Sequence, residues 1–176
     1  MKKILIVIDM QNDFIDGVLG SKEAVNIVDK VCEKFNKSEN EYDQIFFTQD
    51  THIDGSDCTI EEKTIPAHCI KETDGWYINK DVSYFANNPK VKIVEKNIFG
   101  FTGWEEYIDA APAVIEVCGL CTDICVISNA LILRSLYPCA KIICDASCCA
   151  GTSPKMHEAA LDVMESCLID VINRGE

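Results

Sequence analysis

Cys125, Asp9 and Lys96 bring a thiol, a carboxylate and an ammonium group to the ends of separate apolar runs. Together they can perform nucleophilic attack on a carbonyl, with a proton acceptor and a counter-charge beside the nucleophile. Cys125 lies three residues after Thr122, a residue type that caps helices, so it falls in a predicted first helical turn. Unpaired N–H groups and the positive end of the helix dipole stabilise a thiolate there. The backbone N–H groups of Cys121 and Cys125 are placed to hold the oxyanion that forms on attack. The chain has three histidines, none near this turn in sequence, which leaves the role of base to a carboxylate. Asp9 is the candidate, and Lys96 would hold the negative charge of the pair. Each residue also has a plainer reading: Asp9 as a partner of the helix start near Ser21, Lys96 as a solvated lysine, Cys125 as core between Ile124 and Val126.

A second set, Asp50, His52 and His68, offers one carboxylate and two imidazoles with positions left open, which suits zinc, manganese or iron(II). The spacing of Cys118, Cys121 and Cys125 occurs around iron and zinc centres too. Against that, Cys118 belongs to a predicted strand and no fourth ligand is evident. Cys148 and Cys149 read as packing, since adjacent cysteines seldom reach disulfide geometry. His157, beside Glu158 on a charged helix, reads as a surface residue.

The elements that must position these groups follow from apolar periodicity. Continuous apolar runs at Ile4–Ile8, Ile45–Phe47, Val91–Val94, Ala113–Val117, Lys141–Cys144 and Leu168–Ile172 predict six strands buried on both faces. Helical stripes lie between several of them: Ala24, Ile27, Val28, Val31 and Phe35; then Ala130, Leu131, Leu133 and Leu136; then Ala160, Leu161, Met164 and Cys167. Alternation of this kind predicts an α/β doubly wound, mainly parallel, Rossmann-like sheet with helices on both faces. Thr102 with Glu105, Thr122, and Ser153 before Pro154 are the predicted helix starts. Residues 50 to about 88 break the pattern and read as a functional excursion. Ligands of such sheets bind beyond the carboxyl ends of the strands, where Asp9, Asp50, His52, Lys96 and the turn leading to Cys125 all fall.

With 176 residues and 48% hydrophobic content, the chain reads as a single domain, 1–176. A net charge of −13 disfavours nucleic acid and anionic membranes as partners, leaving a small-molecule substrate, with a homo-oligomer expected from flat helical faces. The first apolar run is only five residues long, too short for a signal peptide or a span, so a cytoplasmic location is expected. Eleven cysteines, an odd number, fit reduced thiols better than a disulfide framework.

The motifs resemble the isochorismatase-like cysteine hydrolases, and among them the nicotinamidase and pyrazinamidase branch, over nearly the whole chain. Ile8-Asp9-Met10-Gln11-Asn12-Asp13-Phe14 is similar to that family's opening, and Gly119-Leu120-Cys121-Thr122-Asp123-Ile124-Cys125-Val126 to its nucleophile turn. The resemblance implies that Asp9, Lys96 and Cys125 are catalytic, that Phe14 forms an aromatic pocket wall, and that Asp50, His52 and His68 bind a divalent metal, zinc first; the segment after Lys96 is shorter than usual, and Phe101 or Trp104 is expected to line the pocket there. It implies a cis Leu120–Cys121 peptide that aims the Cys121 N–H into the oxyanion hole. The implied reaction is hydrolysis of a small carboxamide, nicotinamide first, through a thioester. Two departures keep a carbamoyl compound or an isochorismate-like enol ether open as alternatives. Ile65 stands where a tryptophan is common, and Cys58 where some relatives have a histidine. A catalytically silent binding protein of the same fold is the reading from another class.

Overall fold

The computed structural model describes residues 2–56, 59–86, 88–108 and 112–175. Six strands form one sheet: β1 (Lys3–Ile8), β2 (Gln44–Asp50), β3 (Val91–Lys96), β4 (Val114–Leu120), β5 (Lys141–Ala150) and β6 (Asp170–Ile172). Every pairing is parallel, in the order β3-β2-β1-β4-β5-β6. Among the described residues seven α-helices accompany them: α1 (Asn12–Ile15), α2 (Lys22–Ser38), α3 (Ile60–Thr64), α4 (Lys80–Ala86), α5 (Trp104–Tyr107), α6 (Ile127–Leu136) and α7 (Pro154–Ser166).

Neighbouring residues on a strand face opposite sides, and β2 shows what covers each. Phe47 meets Phe35 of α2 at 6.2 Å between ring centroids, while Phe46 meets Trp104 of α5 at 5.7 Å. Apolar side chains therefore leave water on both faces, the main driving force for a sheet of this kind. Ile4 to Ile8 and Ile45 to Phe47 are buried, as are Ala24, Ile27, Val28, Val31 and Phe35 of the α2 stripe. Among the described residues no helix is long and apolar enough to cross a membrane.

Two predicted helix starts differ from the structure. Helix α5 begins after Gly103, with no side-chain cap, so Thr102 and Glu105 form no capping box. Thr122 is no cap either; it opens a π-helical turn, Thr122–Val126, that runs into α6. Ser153 does cap α7, its hydroxyl accepting from the Met156 N–H at 3.2 Å, and Ser21 accepts from Ala24 at the start of α2. The excursion after β2 holds α3 and α4 and is pinned by bridges His52 to Ile70 and Gln11 to Ile78. Cys58 lies outside the described residues.

Candidate active site

The strand order reverses between β1 and β4, and their carboxyl ends diverge to leave a crevice. Asp9 directly follows β1, and the turn carrying Cys125 follows β4. The two strands approach so closely that a Cβ on Gly119 (φ 117°) would stand 2.1 Å from the Ile8 carbonyl oxygen. The Leu120–Cys121 peptide is cis. The Cys121 carbonyl accepts from the N–H groups of Ile124 and Val126 at 3.1 and 3.0 Å, which closes the turn over Cys125.

Lys96, at the end of β3, reaches under β2 to this crevice. Its ammonium lies 2.7 Å from Asp9 Oδ2, 3.3 Å from Asp50 Oδ1 and 3.7 Å from Cys125 Sγ. Thr48 steadies the acid from β2: its hydroxyl donates to Asp9 Oδ1 at 2.6 Å and accepts from the Asp9 N–H at 3.1 Å. Burial pushes the Asp9 carboxyl up against the pull of Lys96. Burial also pushes the Cys125 thiol up, Lys96 pulls it back, and the charges of Asp9 and Asp50 push it up again. Sequence reasoning expected backbone dipoles, with Asp9 and Lys96 beside them, to favour the thiolate. The structure buries thiol and acid around one ammonium, and burial raises both groups above their ordinary values.

Asp50 turns its other oxygen to a second cluster. Its Oδ2 is 2.9 Å from His52 Nε2 and 3.4 Å from His68 Nε2, and Glu61 Oε1 lies 3.5 Å from His68 Nε2. Ligand atoms of Asp50, His52, Glu61 and His68 all fall within 4.8 Å of one another. The far ring nitrogens are oriented from outside: His68 Nδ1 faces the Pro66 carbonyl at 2.8 Å and His52 Nδ1 faces Glu62 at 3.3 Å. That arrangement turns both Nε2 lone pairs inward, as in metal sites. Burial works against a charge on His68, but Asp50 and Glu61 outweigh it and raise its imidazole to about 10. Among the described residues, buried His68 Nε2 and Glu61 Oε2 find no hydrogen-bond partner. Two inward imidazoles, two carboxylates and two orphaned polar atoms fit a divalent cation.

A cavity of about 300 Å³ joins the two clusters. Cys121 and Cys125 open on it from one side and Glu61 and His68 from another, with Phe14, Ile65, Phe99 and Ile124 as apolar walls. Phe14 packs on His68, ring centroids 5.5 Å apart. Phe101 does not line the cavity. Its ring packs edge-on against Trp104 and Tyr107, at 5.2 and 5.5 Å, and Phe99 takes the wall position two residues earlier.

An Isochorismatase domain family model matches residues 3–176. The chain belongs to the isochorismatase family. It is 30% identical over 146 residues to an uncharacterized isochorismatase family protein PncA of Bacillus subtilis (strain 168), covering 74% of this chain and 78% of that one. The structure of a pyrazinamidase/nicotinamidase from Streptococcus mutans UA159 is similar at TM-score 0.88 and 30% identity, covering 97% and 100% of the two chains. A pyrazinamidase of Pyrococcus horikoshii, solved in complex with zinc, is similar at TM-score 0.84 and 25% identity, covering 98% and 99%.

In this isochorismatase-family chain the opening segment does more than supply Asp9. Gln11 donates to the Asp50 and Trp76 carbonyls, both at 2.8 Å, and accepts from the Asp50 N–H at 2.7 Å. Asp13 accepts from the Cys69 N–H at 2.7 Å, so the segment docks the excursion that carries His68. Sequence reasoning missed Glu61, whose only signal was its place inside the Thr59–Glu62 capping box ahead of His68. It also missed Asn129, whose amide donates to the carbonyls of Cys125 at 2.8 Å and Phe99 at 3.1 Å, tying the nucleophile turn to the cavity wall. His157 is not a free surface residue: it is half-buried and bonded to Thr122 at 2.8 Å.

Proposed function

We propose that the chain hydrolyses a small, flat heteroaromatic carboxamide, nicotinamide or pyrazinamide, to the carboxylate and ammonia, with Cys125 as nucleophile, Asp9 as general base and acid, and Lys96 as their counter-charge. The supporting observation is that the Cys125 thiol, 3.7 Å from Lys96, opens on the same cavity as His68 and Glu61. A ring between the apolar walls would have its amide at the thiol end and its ring nitrogen at the imidazole end.

In this reading Asp9 takes the Cys125 proton as the sulfur attacks the carboxamide carbon. Lys96 stays charged and keeps the transfer from separating charge, while the N–H groups of Cys121 and Cys125 receive the developing oxyanion. Asp9 passes the proton to the departing amine, ammonia leaves, and a thioester remains on Cys125. Asp9 then takes a proton from water as it attacks, and the acid is released with the thiol restored. A divalent cation, zinc or else manganese or iron(II), would be held by Asp50, His52, Glu61 and His68, and would supply a Lewis-acid anchor for a ring nitrogen.

The alternative substrates are carboxylate-bearing enol ethers and carbamoyl acids. Among the described residues none lining the cavity is Lys or Arg, and Lys96 is already committed to two carboxylates, which favours a neutral amide. All cysteines among the described residues are free thiols, which supports a reducing, cytoplasmic setting for a thiol nucleophile. Self-association is part of the same proposal, on the sequence expectation alone.

Incubation of the purified protein with nicotinamide and with pyrazinamide, following ammonia and measuring bound metal on the same sample, tests the reading. Cys125→Ala is expected to lose activity by roughly 1,000-fold or more while retaining its metal. A Cys125→Ala protein as fast as the parent overturns the mechanism.

A further inference from the structure

The nucleophile turn is gripped by the connection between β5 and α7, whose Gly151 and Thr152 also border the cavity. Thr122, the buried first residue of the turn, shares a 2.8 Å hydrogen bond between its hydroxyl and His157 Nδ1. Asp123, the second, accepts from Thr152 through the backbone N–H at 2.8 Å and the hydroxyl at 2.6 Å. Gly151 fills the gap between these contacts. A Cβ there would stand 2.8 Å from Asp123 Oδ1 and 2.8 Å from the His157 backbone nitrogen. The grip is itself rigid, because the His157 N–H donates to the Ser153 carbonyl at 2.9 Å within a capped helix.

We propose that His157 is a positioning residue: through Thr122 it fixes the start of the turn whose fourth residue is Cys125, and so sets the sulfur against Asp9 and Lys96. The proposal rests on the reading of Cys125 as nucleophile. Among the described residues the Thr122 hydroxyl has no other partner, so removing the imidazole leaves a buried polar atom without its anchor and frees the start of the turn to shift. The shift begins three residues from the sulfur. At that distance it changes the approach to substrate more than the shape of the cavity, and misplacement of this size is costly to rate. The imidazole is suited to the task. Burial holds it below its usual range, with Glu158 on its own helix, Asp123 on the turn and Arg174 near the C-terminus as charged neighbours.

The test compares His157→Ala, His157→Asn and, as a control on the same helix, Glu158→Gln, in the metal-loaded protein. Nicotinamide hydrolysis gives kcat and KM, and iodoacetamide labelling of Cys125 gives a readout independent of turnover. His157→Ala is expected to lower kcat roughly 10- to 100-fold with KM changed by no more than about twofold. It should also slow Cys125 labelling as the sulfur moves off Lys96. His157→Asn, which keeps a polar atom near the Nδ1 position, should recover most of both, and Glu158→Gln should match the parent. A His157→Ala protein with kcat within about twofold of the parent overturns the proposal, as does a loss that Asn fails to rescue. If His157→Ala does not fold, Thr122→Val removes the same bond from the other side, and an unchanged kcat there is equally fatal. Should the parent release no ammonia from nicotinamide, the proposed activity fails, while labelling still decides the present point: equal rates in parent and His157→Ala refute positioning, and slower labelling in the variant upholds it.

Discussion

Asp9 has φ 47°, the left-handed region that aspartate tolerates better than most residues, and this turns its carboxyl from the end of β1 toward Lys96. In the proposed reaction its carboxylate accepts the Cys125 proton, while its charge opposes formation of the thiolate. Asp9→Asn separates the two effects. Without the carboxylate, Lys96 acts on the sulfur with less opposition, so the thiol titrates at lower pH and iodoacetamide labelling at pH 7 speeds up. Turnover of nicotinamide should nevertheless fall by about 1,000-fold or more, because no group remains to carry the proton. Labelling that slows in step with turnover would contradict this account of the trio. At this scale the sequence was legible where residues end strands, because strand ends converge on one edge by topology. Glu61 and Phe99 were not legible, since the reach of an irregular loop follows no period. Phe101 was expected at the substrate, but its ring packs on Trp104 and Tyr107 and Phe99 lines the cavity.

Strands β1 and β4 diverge only beyond Ile8 and Gly119, and Gly119 is what allows them to run so close before that point. Gly119→Ala meets two obstacles, a φ of 117° and the Ile8 carbonyl, and should cost at least about 2 kcal/mol in urea unfolding. The lost stability should come with lost activity, because Asp9 follows Ile8 directly. Unfolding midpoints equal to the parent's would rule out the close approach as a constraint. The six strands were readable because strands buried on both faces are apolar without interruption. The start of α5 was misread because Thr102 and Glu105 have capping chemistry but Gly103 intervenes as the helix's first neighbour. Thr122 was misread for a related reason: its hydroxyl is spent on His157, a partner that sequence spacing cannot reveal.

The halves of the molecule are also joined below the site by a buried charge network. Lys34 of α2 pairs with Glu116 of β4 and, at 2.6 Å, with Asp145 of β5, while the Tyr42 hydroxyl donates to Glu116 at 2.8 Å. Burial opposes the Asp145 charge, but Lys34, Ser147 and Asn173 outweigh it and hold the carboxyl below its usual range. A group lowered in this way stabilises the fold fully above its unfolded value, near ~3.9, and ceases to do so as pH falls through its folded value. Acid should therefore weaken the parent below about pH 4. Lys34→Met strands two buried carboxylates and should cost about 3–5 kcal/mol at pH 7, with part of the deficit recovered on acidification. Urea midpoints at the two pH values check this, and a deficit that grows in acid would refute it. One consequence of the cavity wall concerns traffic rather than chemistry. In the proposed reaction a neutral amide would enter a chamber with no Lys or Arg among its described lining residues, within a protein of net charge −13, and would leave it as an anion. Hydrolysis would thus turn a guest indifferent to the surrounding field into one that the field repels, so the protein's own acidity would favour departure of the product.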